Sequence, residues 1–232
     1  MSRILPTVAA SLILLAGMVS ASDETLALRT LALRADEMPE LFIHTGKEYL
    51  PLRFSAVQPS ETVKALAANP LTLYRAGVDA NGKSGFVIAH RVKLPDQATG
   101  ILLLGWRQGE DPGFVAIKDE FAKAGYNDWL LINASSQPVA FQPGETATPL
   151  LLKPGASTTH RIGAAKGEGI AVTAQAPIKG KARTFFSTFW PVYADKRSVV
   201  VFVDDGARIL VKRISDPLDT PAPDNESDKK SG

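Results

Sequence analysis

Thr184 to Ile214 reads TFFSTFWPVYADKRSVVVFVDDGARILVKRI. Three β segments follow one another in it. An aromatic strand, Phe185 to Tyr193, enters the polar turn Ala194 to Arg197 and then the apolar strand Val199 to Val203. The Asp204-Asp205-Gly206 turn leads into a third strand that alternates through Ile209, Val211 and Arg213 or through Leu210, Lys212 and Ile214. β-Branched and aromatic runs bounded by Asp/Gly turns are a strong local hairpin signal. A fainter copy, FVIAHRVKLPDQATGILLLG, spans Phe86 to Gly105, about a hundred residues upstream. There too a strand runs to a proline, crosses a polar turn and enters a solid apolar run, Ile101 to Leu104.

Working outward, the second half holds further short strand candidates: Asp128 to Ala134, Pro138 to Gln142, Leu150 to Lys153, Thr158 to Ile162 and Ile170 to Ala176. Pro-Gly pairs close the second and third of these. In the first half, Leu41 to His44, Tyr49 to Phe54, Leu71 to Arg75, Gly85 to Leu94 and Ile101 to Trp106 read the same way. Thr25 to Arg34 admits two readings. Its leucines alternate in two bursts that break at Arg29-Thr30, which fits a bulged strand, while its Leu, Ala and Arg content fits a short helix. The neighbouring strands favour the first. Ser60 to Ala68 reads as one or two helical turns stopped by Asn69-Pro70, and Lys118 to Gly125 as a short helix or turn.

Many short strands at steady spacing with Gly/Pro turns predict an all-β chain of two tandem immunoglobulin-like β-sandwiches. The turn-rich Gln108 to Gly113 marks the boundary, giving domains over 22–110 and 111–215. Residues 1–21 read as a signal peptide: Arg3, the apolar Ile4 to Val19, and the cleavage site Val19-Ser20-Ala21. From Asp216 on, DPLDTPAPDNESDKKSG is too polar to offset its ordering entropy and reads as a disordered tail.

The mature chain of about 210 residues is large enough for one large or two small β domains. It has no cysteine, so packing alone must hold it, and thiol chemistry is excluded. Basic and acidic residues nearly balance, 26 against 24, and form no basic stripe. That sets nucleic acid aside as a partner. No segment after the leader is long and apolar enough to suggest a membrane span.

Catalytic patterns are thin. His44, His90 and His160 lie in separate strand-like segments without metal-ligand spacing, and no serine sits in a nucleophile elbow. Asp79-Ala80-Asn81-Gly82 starts like a calcium loop but has Ile88 where the closing carboxylate belongs, so it reads as a turn. No catalytic residue, metal ligand or cofactor site is expected. Asn133-Ala134-Ser135 and Asn225-Glu226-Ser227 match the N-glycosylation pattern. The aromatic strand alone carries an excess. Alternation puts Phe186, Thr188, Trp190 and Val192 on one face and Phe185, Ser187, Phe189, Pro191 and Tyr193 on the other. A sandwich strand needs one apolar face. Either the second is covered by the first domain or an edge loop, or the strand exposes aromatic side chains from among Trp190, Tyr193 and Phe189 as a ligand or partner surface.

The patterns WLLINASSQPVAFQPGE (Trp129 to Glu145) and FFSTFWPVYADKRSVVVFV (Phe185 to Val203), behind a leader and without cysteine, resemble uncharacterised secreted bacterial tandem β-sandwich proteins. The first pattern is similar to secreted β modules of the DUF4397 type. The two-domain layout is similar to the periplasmic accessory protein of alginate O-acetylation, and that resemblance implies an adaptor without catalytic residues. The expectation is therefore a non-catalytic periplasmic or secreted binding module whose partner is an envelope protein or a polysaccharide. Two alternatives stand beside it: a carbohydrate-binding module using Trp190, Tyr193 and either Trp106 or Trp129, and an enzyme whose site joins His90 or His160 to a carboxylate.

Overall fold

The computed structural model describes residues 25–78, 80, 82–119, 125, 127–163, 169–178, 180–193 and 196–217. The expected leader, the Asp79 and Asn81 positions, the middle of the 118–125 segment and the tail from 218 on lie outside the described residues. Among the described residues, sixteen strands carry the fold. The first eight are β1 (Thr25–Ala32), β2 (Leu41–His44), β3 (Tyr49–Leu52), β4 (Val63–Leu66), β5 (Leu71–Val78), β6 (Ser84–Val92), β7 (Gly100–Gln108) and β8 (Asp111–Lys118). The rest are β9 (Asp128–Asn133), β10 (Val139–Pro143), β11 (Leu150–Leu152), β12 (Ser157–Arg161), β13 (Gly169–Ile178), β14 (Lys181–Pro191), β15 (Lys196–Asp205) and β16 (Arg208–Pro217).

The strands form four four-stranded sheets: β4-β1-β7-β8, β3-β2-β5-β6, β12-β9-β15-β16 and β11-β10-β13-β14. Adding eight to each strand number of the first pair gives the second pair, so the chain is two copies of one topology. In each copy the first strand pairs parallel with the seventh, β1 with β7 and β9 with β15. The quoted stretch and its echo are the same elements in the two copies: Phe86 lies in β6 and Ile101 in β7, as Phe186 lies in β14 and Val199 in β15. Each outer hairpin also carries one register shift, between Leu73 and Tyr74 opposite β6 and between Ala174 and Gln175 opposite β14.

Three apolar layers hold the sheets. One lies between the first two sheets and is built from Leu26, Leu28, Leu41, Ile43, Leu71, Leu73, Ile101 and Leu103. The second lies between the last two, around Trp129, Leu131, Phe141, Val172, Val200 and Phe202. The third joins the copies: Leu31, Leu33, Leu102, Leu104 and Ile117 meet Leu130, Ile132, Val199, Val201, Val203 and Ile214. The molecule is thus four sheets deep, with β1-β7 and β9-β15 in the two inner sheets.

This layering accounts for the solid apolar runs. Alternate residues of a strand point to opposite faces. In β7, Ile101 and Leu103 enter the first layer while Leu102 and Leu104 enter the shared one, all fully buried. In β15, Val200 and Phe202 point one way and Val199, Val201 and Val203 the other. Each fully buried aliphatic chain contributes about 1.5–3 kcal/mol relative to exposure. In β1 the expected bulge at Arg29-Thr30 is absent, since it pairs with β7 without interruption from Ala27 to Ala32. Its leucines change phase because Leu26 and Leu28 serve the first layer, and Leu31 and Leu33 the shared one.

Other local expectations change as well. The proposed helical turn at Ser60 to Ala68 contains strand β4, which pairs antiparallel with Thr25 to Leu28. β8 pairs along its length with β7, so the first sandwich extends through Lys118, past the Gln108–Gly113 turn. Asp216 and Pro217, read as the start of the tail, belong to β16, where they pair with Arg197 and Lys196.

Candidate binding surface

The aromatic strand divides its residues between two environments. Among the described residues, β14 is an edge strand paired with β13 alone. Its register places Phe186, Thr188 and Trp190 opposite Ala174, Val172 and Ile170 on the core side. Phe185 has no cross-strand partner because the bulge falls there, and it packs against the core beside Phe186. Trp190 is half-buried. Its ring lies 5.2 Å from Trp129, 6.0 Å from Phe141 and 5.5 Å from Phe186. The Arg213 guanidinium on β16 closes this end of the sandwich, 4.8 Å from the Trp129 ring and 5.4 Å from Trp190. Arg213 Nε donates to Ser198 Oγ at 2.9 Å and Nη1 to the Pro191 carbonyl at 2.8 Å. Burial pushes the Arg213 guanidinium below its usual pKa, opposed by attraction to Tyr193.

Phe189 and Tyr193 are exposed, at 64 % and 43 %. Phe189 faces solvent and lies over Gly169, where a Cβ would stand 2.0 Å from its ring. Tyr193 sits beyond the strand end, its ring 5.5 Å from both Lys196 Nζ and the Arg213 guanidinium. Trp190 and Phe189 therefore occupy opposite faces of β14, and the three residues do not make one platform. Trp129 is core, and Trp106 packs half-buried against the shared layer.

A larger aromatic surface lies elsewhere, on the solvent face of the β3-β2-β5-β6 sheet. There the alternation is regular: Leu41, Ile43, Leu52, Leu71 and Leu73 point into the core, so Phe42, His44, Tyr49 and Tyr74 point outward. Phe86 and Ile88 join them from β6, 40 % and 48 % exposed. The Tyr49 and Phe86 rings stack at 4.2 Å with an interplanar angle of 19°. Tyr74 meets Tyr49 edge-on at 4.9 Å, Phe42 meets Phe86 at 4.8 Å, and His44 lies 4.8 Å from Tyr49. Rings from the two edge strands thus meet over the sheet and form a continuous apolar patch. No single segment holds more than two of them, so composition along the chain hides the cluster. The signal present was an aromatic at the outward position of each successive short strand.

Several buried polar groups tie elements together. Arg29 on β1 pairs with Asp119 at 2.6 Å and with Asp216 on β16 at 3.2 Å, and Arg197 on β15 pairs with the same Asp216 at 2.9 Å. Among the described residues, two arginines and two aspartates thus join the inner sheets. Burial alone lowers the Arg29 pKa, but hydrogen bonds and charge attraction from Asp119, then Asp216, outweigh it and raise it. A cleft of about 360 Å³ beside this set is lined by Arg29, Ser60, Glu61, Arg197 and Asp216. The Asn133-Ala134-Ser135 motif is a buried turn. Asn133 Nδ2 donates to the carbonyls of Gln137 and Leu152, and its Oδ1 accepts from Ser135 N and Oγ. Its amide nitrogen is engaged and the side chain is buried.

His44 lies in β2, His90 in β6 and His160 in β12. His90 packs 5.0 Å from Phe114, and among the described residues no histidine is hydrogen-bonded to a carboxylate. Among those residues no group of three His, Cys, Asp or Glu side chains is arranged to hold a metal, and no helix is long and apolar enough to cross a membrane. The chain matches no family model and no curated protein.

Proposed function

We propose that the protein is a non-catalytic exported binding or adaptor module, and that it binds through the solvent face of the β3-β2-β5-β6 sheet. The supporting observation is the joined patch of Phe42, Tyr49, Tyr74, Phe86 and Ile88 on a sheet whose other face is fully engaged. Contiguous exposed apolar surface of this kind marks interaction sites. The ring geometry favours a protein partner over a sugar. A sugar platform presents flat ring faces side by side, whereas Tyr49 and Phe86 turn their faces to each other.

The test is affinity capture from envelope extract and from a panel of soluble polysaccharides, with wild-type chain and a Phe86→Ser/Ile88→Lys variant run in parallel. Capture of a protein by the wild type and its loss in a variant of unchanged melting temperature is expected. Equal capture by both removes the surface from the reading. Retention on a polysaccharide that Phe189→Ala or Tyr193→Ala abolishes moves the reading to carbohydrate binding on β14.

A further inference from the structure

We infer that β6 is a strand-addition site, taking an extended segment of a partner protein with apolar side chains at alternate positions and an acidic residue at the end that meets Arg91 and Lys93. This rests on the proposed binding face and adds a backbone component to it. β6 is the outer strand of its sheet, paired on one side with β5. Among the described residues no backbone hydrogen bond leaves its other side. An edge of unpaired N–H and C=O groups is a template for another strand, and proteins usually blunt such edges with proline, lysine or shortness. The other edges show these devices: Pro51 in β3, Pro112 in β8, Lys181, Arg183 and Pro191 in β14, Lys212 and Arg213 in β16. β4 and β12 are only 4 and 5 residues long and β11 only 3. β6 runs for 9 residues, and its stretch Ser84 to Ala89 holds neither charge nor proline. A strand added there lays every second side chain onto Phe86, Ile88 and the rings beside them, the arrangement by which added strands gain affinity from backbone bonds and specificity from side chains.

Charge selects the occupant. Arg91 and Lys93 are exposed at the end of β6, and the strand itself holds no Asp or Glu. A second copy adding its own β6 brings no carboxylate to them, which disfavours self-association. A partner strand with an acidic residue at that end complements them.

The probe is a displayed library of random linear peptides selected on the chain from Ser22 to Gly232. Selected peptides are expected to share apolar residues at i, i+2 and i+4 with Asp or Glu at one end, and to lose binding to Phe86→Ser/Ile88→Lys. Each is then resynthesised with single backbone N-methyl groups. An antiparallel ladder uses alternate amides, so methylation weakens binding on the order of tenfold at every second residue and little between. Peptides that bind the patch but tolerate methylation everywhere overturn strand addition and leave the binding face standing. Peptides indifferent to Phe86→Ser/Ile88→Lys, or no enrichment at all, overturn both.

Discussion

Asp216 shows how much one side chain carries here. It is 3 % exposed and is shared by Arg29 from the first sandwich and Arg197 from the second. Removing one member of a buried ion set leaves charge in a poorly solvated place, which costs about 3–5 kcal/mol. Asp216→Ala is therefore expected to lower unfolding stability by that amount in urea denaturation. A loss under about 1 kcal/mol, the range of exposed pairs, contradicts a buried role. From sequence this residue looked like the first of a polar tail, because composition weighs Asp216 with the prolines and acids after it. Its partners stand 187 and 19 residues away, beyond the reach of any local pattern. Asn133 was visible as a motif, but whether its amide met solvent or the Gln137 and Leu152 carbonyls depended on the turn it builds.

Among elements, β14 and β15 differ in how many faces they bury. The aromatic β14 is an outer edge with one face on the core and one in solvent, while β15 is buried on both faces. Alternation along β14 was legible, because a period of two needs no knowledge of neighbours. Which face met water was not. The two faces predict unequal losses. Trp190→Ala, which removes a ring packed on Trp129, Phe141 and Phe186, is expected to cost about 2–3 kcal/mol, and Phe189→Ala less than about 1. Thermal melts of the two variants check this, and equal losses contradict the assignment of faces. β1 teaches the same lesson: the shift from Leu28 to Leu31 looked like an irregularity of one strand and is a change of the layer being served. The outward aromatics of β2, β3, β5 and β6 went unread because each strand shows only one or two.

On the scale of the whole molecule, the repeat was legible as an echo of β6-β7 in β14-β15, and the strand order extends it to all eight elements. What the echo did not convey is that the copies share an apolar layer. Leu102 and Leu104 on one side and Val199, Val201 and Val203 on the other are as buried as either sandwich's own core. A layer of this kind predicts that the two sandwiches unfold as one body, and it leaves the outward face of β3-β2-β5-β6, the proposed binding face, in solvent. The most direct test is hydrogen exchange by mass spectrometry at rising urea, following peptides from β7 and β15 in wild type and Leu104→Ala. Truncating a buried leucine costs about 2–5 kcal/mol. A shared layer predicts that both peptides lose protection at one midpoint and that Leu104→Ala lowers it equally for both. A β15 midpoint that stays in place while that of β7 falls contradicts the fused four-sheet body.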